Sequence, residues 1–326
     1  MKLYFKKYNF KNILKNKFYL FCFFIFIFLL FLFFSFKKYY LNINEPFNNL
    51  KVKEKPKIWC YWETMKGKKK PAYIDLCYDS LLHNCKDCFD IILLNERNIH
   101  TYLPNIKKEI DLSSLSIPHK TDYYRYALLE KYGGIWIDAD IIVTRCLSPL
   151  YKELLDSDKD YMGFGCGRSR KSCSLNPNGK YNPTNWLMMS KPKSKFMKCV
   201  KDNATNVIEE KGNDFSYHEI GKMGLQKCIE VMKNKDNEWD YIHIPSTCQE
   251  YDDEGHKLNN IMTPYDIKKC SNKRYFFPLY NTAPGYPEWF KNLSKDDLWN
   301  ERSPTDEKYY LKDILHEAFS KKEKCN

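Results

Sequence analysis

Residues 131–144, KYGGIWIDADIIVT, constrain this chain more than any other stretch of it. Two glycines lead into a short apolar run, and the run ends in Asp138 and Asp140. A short apolar run bounded by turn signals reads as a buried strand. A lone carboxylate at the end of such a strand is costly unless something compensates it, and a bound cation is the simplest compensation. Residues two apart on a strand share a face, so both carboxylates would converge on one hard cation, with phosphate oxygens and water completing its shell. An isolated pair of this kind is more often a solvated strand end, so the surrounding sequence has to decide.

The neighbouring segments alternate in type. Residues 57–62 (KIWCYW) and 89–94 (FDIILL) read as strands, whereas residues 72–82, 96–103 and 118–132 read as helices. Gly133 is placed to close the last of these in the left-handed conformation. Further on, residues 147–155, 191–211 and 219–233 read as helices, and residues 161–165, 185–190 and 241–245 as strands, with a loop over 165–184. Such alternation predicts an α/β layer with a mostly parallel sheet, whose ligands bind beyond the carboxyl ends of the strands. The segment after residue 278 is aromatic without a period and is not placed by this reasoning, and no internal repeat is visible.

Nineteen uncharged residues, 18–36 (FYLFCFFIFIFLLFLFFSF), precede all of this. A helix needs about 20 residues to cross roughly 30 Å of hydrocarbon. A cleaved signal peptide is the rival, but its apolar core is roughly 7–15 residues and ends at a small-residue cleavage site. Residues 1–17 then form a cytosolic basic tail, 18–36 a transmembrane anchor and 37–55 a polar stalk. The globular unit occupies 56–326. Six lysines precede the apolar run and only Lys37 and Lys38 flank its far side, so residues 39–326 are expected across the membrane. The chain's net charge of +12 contains eight of these lysines, and without them the remainder carries +4. That is too mild for nucleic-acid binding, which wants a concentrated basic stripe. The run KGKKK at 66–70 reads as a solvated loop or a feature that attracts a phosphate-bearing ligand.

Of thirteen cysteines, one lies in the apolar run and twelve beyond it, in a compartment that this topology makes oxidising. Disulfides are therefore expected. Cys85 and Cys88 form a C-x-x-C without a second such pair, a weak zinc pattern. Asn203 and Asn292 begin glycosylation sequons.

The stretch TDYYRYALLEKYGG before the aspartates puts Asp122 and Arg125 three apart on one helical face. Here the chain resembles glycosyltransferases with a DXD sugar-binding region, most closely the capsular polysaccharide synthesis protein group, related to α-1,6-mannosyltransferase-like enzymes. That pattern runs Asp, two residues, Arg-Tyr, a short helix, Tyr-Gly-Gly and an aromatic strand ending in Asp-x-Asp, all present in order from Asp122 to Asp140. PKIWCYWE at 56–63, NPTNWLMMSKPKSKFM at 182–197 and YHEIGKMGL at 217–225 are similar to further family segments.

The resemblance implies a GT-A fold, a Rossmann-like nucleotide-sugar transferase domain. It also implies a retaining hexosyl transfer with Mn2+ or Mg2+, from a nucleotide-sugar donor to a glycan, glycolipid or glycoprotein acceptor. Type II anchoring in the Golgi or ER, with the lipid bilayer as a partner and no nucleic acid, agrees with the topology. In the site so implied, Asp140 holds the metal and Asp138 shares it or binds the ribose. Trp62 stacks on the base, and Asp122 and Arg125 hydrogen-bond sugar hydroxyls. Asn185 with Trp186, and His218 with Glu219, are further candidates for the substrate. Each has a plainer reading: Asp122 and Arg125 as a helix-surface ion pair, Trp62 as core, His218 as structural. A different chemistry would also fit the D-x-D-x-x-x-T spacing: an aspartyl-phosphate phosphatase of the haloacid dehalogenase type, with Asp252 and Asp253 or Asp296 and Asp297 as its later acids. An inactive, membrane-anchored glycan-binding protein is the non-enzymatic alternative.

Overall fold

The computed structural model describes residues 54–165, 183–232, 242–245, 261–262, 270, 273–279 and 286–320. The chain divides into two units, Met1–Glu54 and Lys55–Asn326, and the second contains every strand and helix named below. The apolar run 18–36 and the basic tail before it lie outside the described residues, among which no helix is long and apolar enough to cross a membrane.

Strand β1 (Lys57–Tyr61) pairs in parallel with β2 (Asp90–Leu94) on one side and β3 (Gly134–Ile137) on the other. Next to β3 runs β6 (Pro183–Ser190), antiparallel to it. Beyond β6, β5 (Tyr161–Gly165) is antiparallel to β6 and parallel to β7 (Ile242–Pro245). The sheet order is thus β2-β1-β3-β6-β5-β7, and the sheet is mostly parallel, as expected: five strands point one way and β6 runs against both of its neighbours.

Both faces of the sheet are covered, which is why β1 and β3 read as unbroken apolar runs. Trp59, Leu94, Trp136 and Met188 point into one core, built with α4 (Ile117–Tyr132) and α6 (Lys195–Lys211). Ile58, Cys60, Ile135 and Ile137 point into the other, built with α1 (Ala72–Cys85) and α5 (Ser148–Asp156). The helix expected over 96–103 is present as a single turn, α2 (Ile99–Tyr102), and a second single turn, α3 (Ile106–Glu109), follows it. Ser194 caps α6 by accepting from the Met197 amide at 3.0 Å, so that helix starts later than its apolar periodicity suggested. Helix α7 (Lys222–Val231) also starts late, after a turn over 217–221.

The unplaced tail has a definite role. Strand β8 (Phe276–Pro278) pairs antiparallel with β4 (Ile141–Val143), the strand that comes after the two aspartates. Helices α8 (Glu288–Lys291), α9 (Lys295–Asn300) and α10 (Lys312–Ser320) then bury Phe290, Leu298, Ile314 and Leu315 against Tyr73, Leu76 and Cys77 of α1. These residues are separated by more than two hundred positions, and short apolar elements carry no long-range signal about their partners. A disulfide between Cys199 and Cys228 joins α6 to α7, and Cys88 and Cys270 each belong to a disulfide of their own. With Cys88 so committed, the C-x-x-C is not a zinc pair.

The glycine pair is a packing device as well as a helix stop. Gly133 has a positive φ of 65° but an extended ψ of −155°, so it leaves the helix through a region that only glycine enters readily, not through the left-handed helical conformation expected. At Gly134 (φ +93°) a Cβ would lie 2.2 Å from the Lys57 carbonyl oxygen. The β1–β3 pairing therefore requires hydrogen at that position. Gly134→Ala should cost about 3 kcal/mol or more, from overpacking added to an unfavourable φ, when stability is read by urea denaturation. Gly212→Ala shares a positive φ but meets nothing within 4 Å, and should cost only about 1–2 kcal/mol. Equal losses would show that the close approach at Lys57 is unimportant.

Candidate active site

The strands β1 and β3 end at one edge of the sheet, and a cavity of about 920 Å³ opens there. Trp62 enters it from the end of β1, Asp122 and Arg125 from α4, Asp138 and Asp140 from the end of β3. Asn185 of β6 and His218 of the turn before α7 complete the set. These seven expected residues line one space, whereas the candidates Trp186 and Glu219 do not line it.

The two aspartates do not sit on a strand. β3 stops at Ile137, and residues 138–140 form a connection that carries the chain into β4. Sharing a strand face is therefore not what brings them together. Each is held by its own backbone bond: the Asp138 amide donates to the Trp186 carbonyl at 2.9 Å and the Leu279 amide to the Asp140 carbonyl at 2.8 Å. The second of these ties the metal-binding candidate to the C-terminal segment.

Arg125 organises the floor of the site. Its side chain is only 6 % exposed, and it reaches Asp122 Oδ1 through Nη2 at 3.1 Å and Asp138 Oδ1 through Nη1 at 3.3 Å. Nη1 also donates to the Asn185 carbonyl, and the guanidinium lies 5.0 Å from the centre of the Trp136 ring. Asn185 returns a bond to Asp122 Oδ1 at 2.8 Å from Nδ2, and Trp136 donates from Nε1 to Asp138 Oδ1 at 2.8 Å. Asp122 and Arg125 are therefore no surface pair. They are the buried half of a clamp, which makes Arg125 and Asn185 holders of the carboxylates more than direct contacts of a sugar.

Two carboxylates around one guanidinium leave one negative charge in excess. Burial pushes the Asp122 carboxyl up to about 6, against the opposing pull of Arg125, and burial moves Asp138 in the same direction. For Arg125, burial works against the charge, but Asp138 and Asp122 outweigh it and keep the guanidinium charged. Among the described residues no group of three His, Cys, Asp or Glu side chains stands ready to hold a metal. Asp138 and Asp140 nonetheless offer two hard oxygen donors beside an excess negative charge. That set fits a divalent cation that takes its remaining ligands from phosphates and water. One Asp138 oxygen is already engaged by Arg125 and Trp136, which leaves its other oxygen for such a role.

The remaining candidates divide. Trp62 is half-buried, bonded from Nε1 to Thr64 Oγ1 at 3.2 Å, and shows part of its ring to the cavity while the rest packs on the core. His218 is exposed at the cavity rim. Trp186 is not a site residue: it is buried against Phe276, ring centres 5.3 Å apart. Glu219 turns away to pair with Lys211 and to accept from the Ser216 amide. Sequence reasoning missed Gly221 and Tyr217, and Glu288 and Lys291 of α8, all of which line the cavity together with Lys68 and Lys69. The two lysines belong to the KGKKK run already read as a solvated loop or a phosphate-attracting feature, but nothing in α8 announces that it reaches the cavity.

The Asp122 carboxyl titrates higher in the fold than its ordinary value of about 3.9, so the folded state holds the proton more tightly than the unfolded chain. The stability this supplies is complete below about pH 4 and is lost as pH rises through about 6. With chelator present, the melting temperature should therefore fall from pH 4 to 7, and Asp122→Asn should lack part of that slope. A parallel profile for the variant would show that burial does not hold this proton.

Several solved structures are similar to the chain. The apo form of the glycosyltransferase GlyE of Streptococcus pneumoniae TIGR4 is 14% identical over 82% of this chain, which spans 63% of that one, with a TM-score of 0.39. A glycosyltransferase involved in glycosylation of the major capsid of PBCV-1 is 14% identical, with 69% of this chain and 94% of that chain covered and a TM-score of 0.34. The galactosyltransferase LgtC, in complex with donor and acceptor sugar analogs, is 12% identical over 60% and 75% of the two chains, with a TM-score of 0.33. No curated protein sequence matches. The assignment comes from a family comparison, in which residues 27–276 match capsular polysaccharide synthesis proteins, a span that contains every residue of the clamp. The chain belongs to the capsular polysaccharide synthesis protein family.

Proposed function

We propose that the chain is a metal-dependent glycosyltransferase of GT-A type that moves a sugar from a nucleotide-sugar donor to a glycan, glycolipid or glycoprotein acceptor. The observation that carries this reading is the convergence of Trp62, the Asp122–Arg125–Asp138 clamp and Asp140 on one cavity within a family-matched chain. Mn2+ or Mg2+ held by Asp140 and Asp138 would supply Lewis-acid stabilisation of a leaving diphosphate. The chain's own residues do the rest. Trp62 offers an aromatic face for the base, Asp122 accepts from a sugar hydroxyl, and Arg125 and Asn185 hold that carboxylate in place. His218 sits where it can meet the phosphates or the acceptor. We read the transfer as retaining and front-face, because Asp122 and Asp138 share Arg125 and neither is a free nucleophile for a glycosyl adduct.

The phosphatase reading has less support. Its nucleophile would be Asp138, whose Oδ1 is engaged by Arg125 and Trp136. Asp297 caps α9 through Ser294, and Asp296 pairs with Arg302, so neither serves as the later acid. Asp252 and Asp253 lie outside the described residues.

A panel of nucleotide sugars with Mn2+ tests the reading. One donor should release nucleoside diphosphate, chelator should abolish the release, and Asp140→Asn should lower it by about 100-fold or more. Trp62→Ala should weaken nucleotide binding by roughly one to two orders of magnitude, since base stacking is worth about 1–3 kcal/mol. Proton NMR of the first product should show the donor's anomeric configuration. Release of phosphate from monoesters instead would establish the phosphatase, and no turnover with retained glycan binding would establish the inactive protein.

The orientation proposed for the chain is the one its lysines suggest: residues 39–326 in the lumen of the Golgi or ER, a type II arrangement. The Cys199–Cys228 disulfide supports an oxidising compartment. Of the two sequons, Asn292 is exposed at the end of α8, whereas Asn203 is half-buried inside α6. Endoglycosidase should therefore shift the gel mobility of the full chain from eukaryotic cells, and Asn292→Gln alone should abolish that shift. A protease-sensitive catalytic unit in sealed microsomes would reverse the orientation.

A further inference from the structure

Among the described residues Tyr217 is the one Phe, Trp or Tyr that the fold leaves exposed, at 54 %. It stands in the turn before α7 and lines the cavity. Its ring is nonetheless held in place. The His218 ring lies 5.0 Å away at 78° and the His119 ring of α4 lies 5.8 Å away at 45°. His119 packs in turn on Phe215 at 4.8 Å, and Phe215 rests on the core built with α4 and α6. Ile117 and Pro118, which precede His119 on α4, also line the cavity, so three apolar side chains form a wall at the start of that helix. Thr121 and His218 are its polar neighbours. An exposed aromatic held this firmly adds little to the core, and a contiguous apolar wall inside a cavity marks a place where a ligand rests.

Strands β1 and β6 lie on opposite sides of β3. Trp62 follows β1 and Asp138 follows β3, whereas the turn that carries Tyr217 lies against β6, where Gly221 packs on Asn185. The residues assigned to the nucleotide and the metal thus take up the β1 and β3 side, and Tyr217 borders the β6 side, from which a second substrate can reach the same acids. We propose that Tyr217, with Ile117 and Pro118, is the platform of the acceptor subsite and that its occupant is a sugar ring. A pyranose has a face of C–H groups, which suits the negative face of an aromatic ring, and hydroxyls around its edge. Those hydroxyls meet His218 and Thr121, whose Oγ1 donates to the Ile117 carbonyl at 2.7 Å and keeps its lone pairs to accept. The acceptor class is then one whose attacking hydroxyl belongs to a sugar already in place, and not to a serine or threonine side chain, which is too small to cover the ring. This rests on the transferase reading and narrows its acceptor.

The test uses the full chain with Mn2+ and the nucleotide sugar it turns over, with methyl pyranosides and a serine-containing peptide as acceptors, and with donor hydrolysis in their absence as the reference. Wild type should glycosylate at least one methyl pyranoside and leave the peptide unmodified. Tyr217→Ala should raise the KM for that pyranoside about tenfold, as the loss of one aromatic contact implies, while kcat and KM for donor hydrolysis stay within about twofold of wild type. Tyr217→Phe should keep wild-type values for both, because the ring makes the contact. Met223→Ala is the matched control: Met223 is 51 % exposed but does not line the cavity, and its loss should change neither reaction. An unchanged acceptor KM in Tyr217→Ala, or an equal rise in donor and acceptor KM, overturns the platform, and so does transfer to the peptide that ignores Tyr217→Ala. If Tyr217→Ala does not fold, saturation-transfer NMR of the methyl pyranoside on wild type decides: enhancement concentrated on the protons of one ring face supports the stacking, and uniform enhancement overturns it. A wild type that hydrolyses a donor but transfers to no pyranoside refutes the sugar platform alone. A wild type that neither hydrolyses nor transfers refutes the transferase reading beneath it.

Discussion

A single guanidinium, that of Arg125, is shared by two carboxylates that reach it from different elements. Asp122 comes from one turn earlier in the same helix, and Asp138 comes from just beyond the next strand, β3. Buried charges persist only when each is paired and hydrogen-bonded, and breaking such a pair leaves an uncompensated charge that costs about 3–5 kcal/mol. The arrangement therefore fixes α4 against the end of β3 and against β6, through the Asn185 carbonyl. Because one arginine serves two acids, the clamp carries an excess negative charge at the cavity wall. That excess suits a divalent cation beside Asp140 and connects the fold to the chemistry proposed for it.

The clamp can form only if α4 turns into β3 at a steep angle and β3 approaches β1 closely. The two glycines make both possible. Gly133 leaves the helix with a positive φ, and its carbonyl accepts from Trp59 Nε1 at 2.9 Å inside the core. Gly134 brings its Cα against the Lys57 carbonyl. Backbone permissiveness at these two positions, and burial of Trp59 and Trp136 on one face of the sheet, set the distance at which Arg125 finds Asp138.

The motif from Asp122 to Asp140 was legible because its parts are close in sequence and each has a local physical meaning. A three-residue helical spacing, a glycine pair, an apolar run and two acids can all be read within one window. Trp62 was legible as the end of the first strand. The same locality explains the errors. Asp138 and Asp140 were assigned to a strand face because an apolar run gives no sign of where pairing stops, and pairing of β3 with β6 ends at Ile137. Trp186 and Glu219 were grouped with functional neighbours, but one faces the core and the other a lysine. Gly221 went unnoticed as a site residue since its ordinary φ and its helix-start position hide a contact that exists only in three dimensions.

From the sequence by itself come the alternation of strands and helices, the glycine pair, the acids and the aromatic at strand ends, and an excess of lysine before an apolar run. These depend on local periodicity and on chemistry carried by single side chains. Tertiary structure alone decided that Arg125 is divided between two aspartates, that Asn185 supports one of them, and that the C-terminal helices pack on α1 and close the cavity wall. It also decided that Gly221 packs closely against Asp122 and Asn185. Each of these is a distance of a few ångströms set by the packing of whole elements, whether the residues lie in neighbouring elements, as Arg125 and Asp138 do, or more than two hundred positions apart.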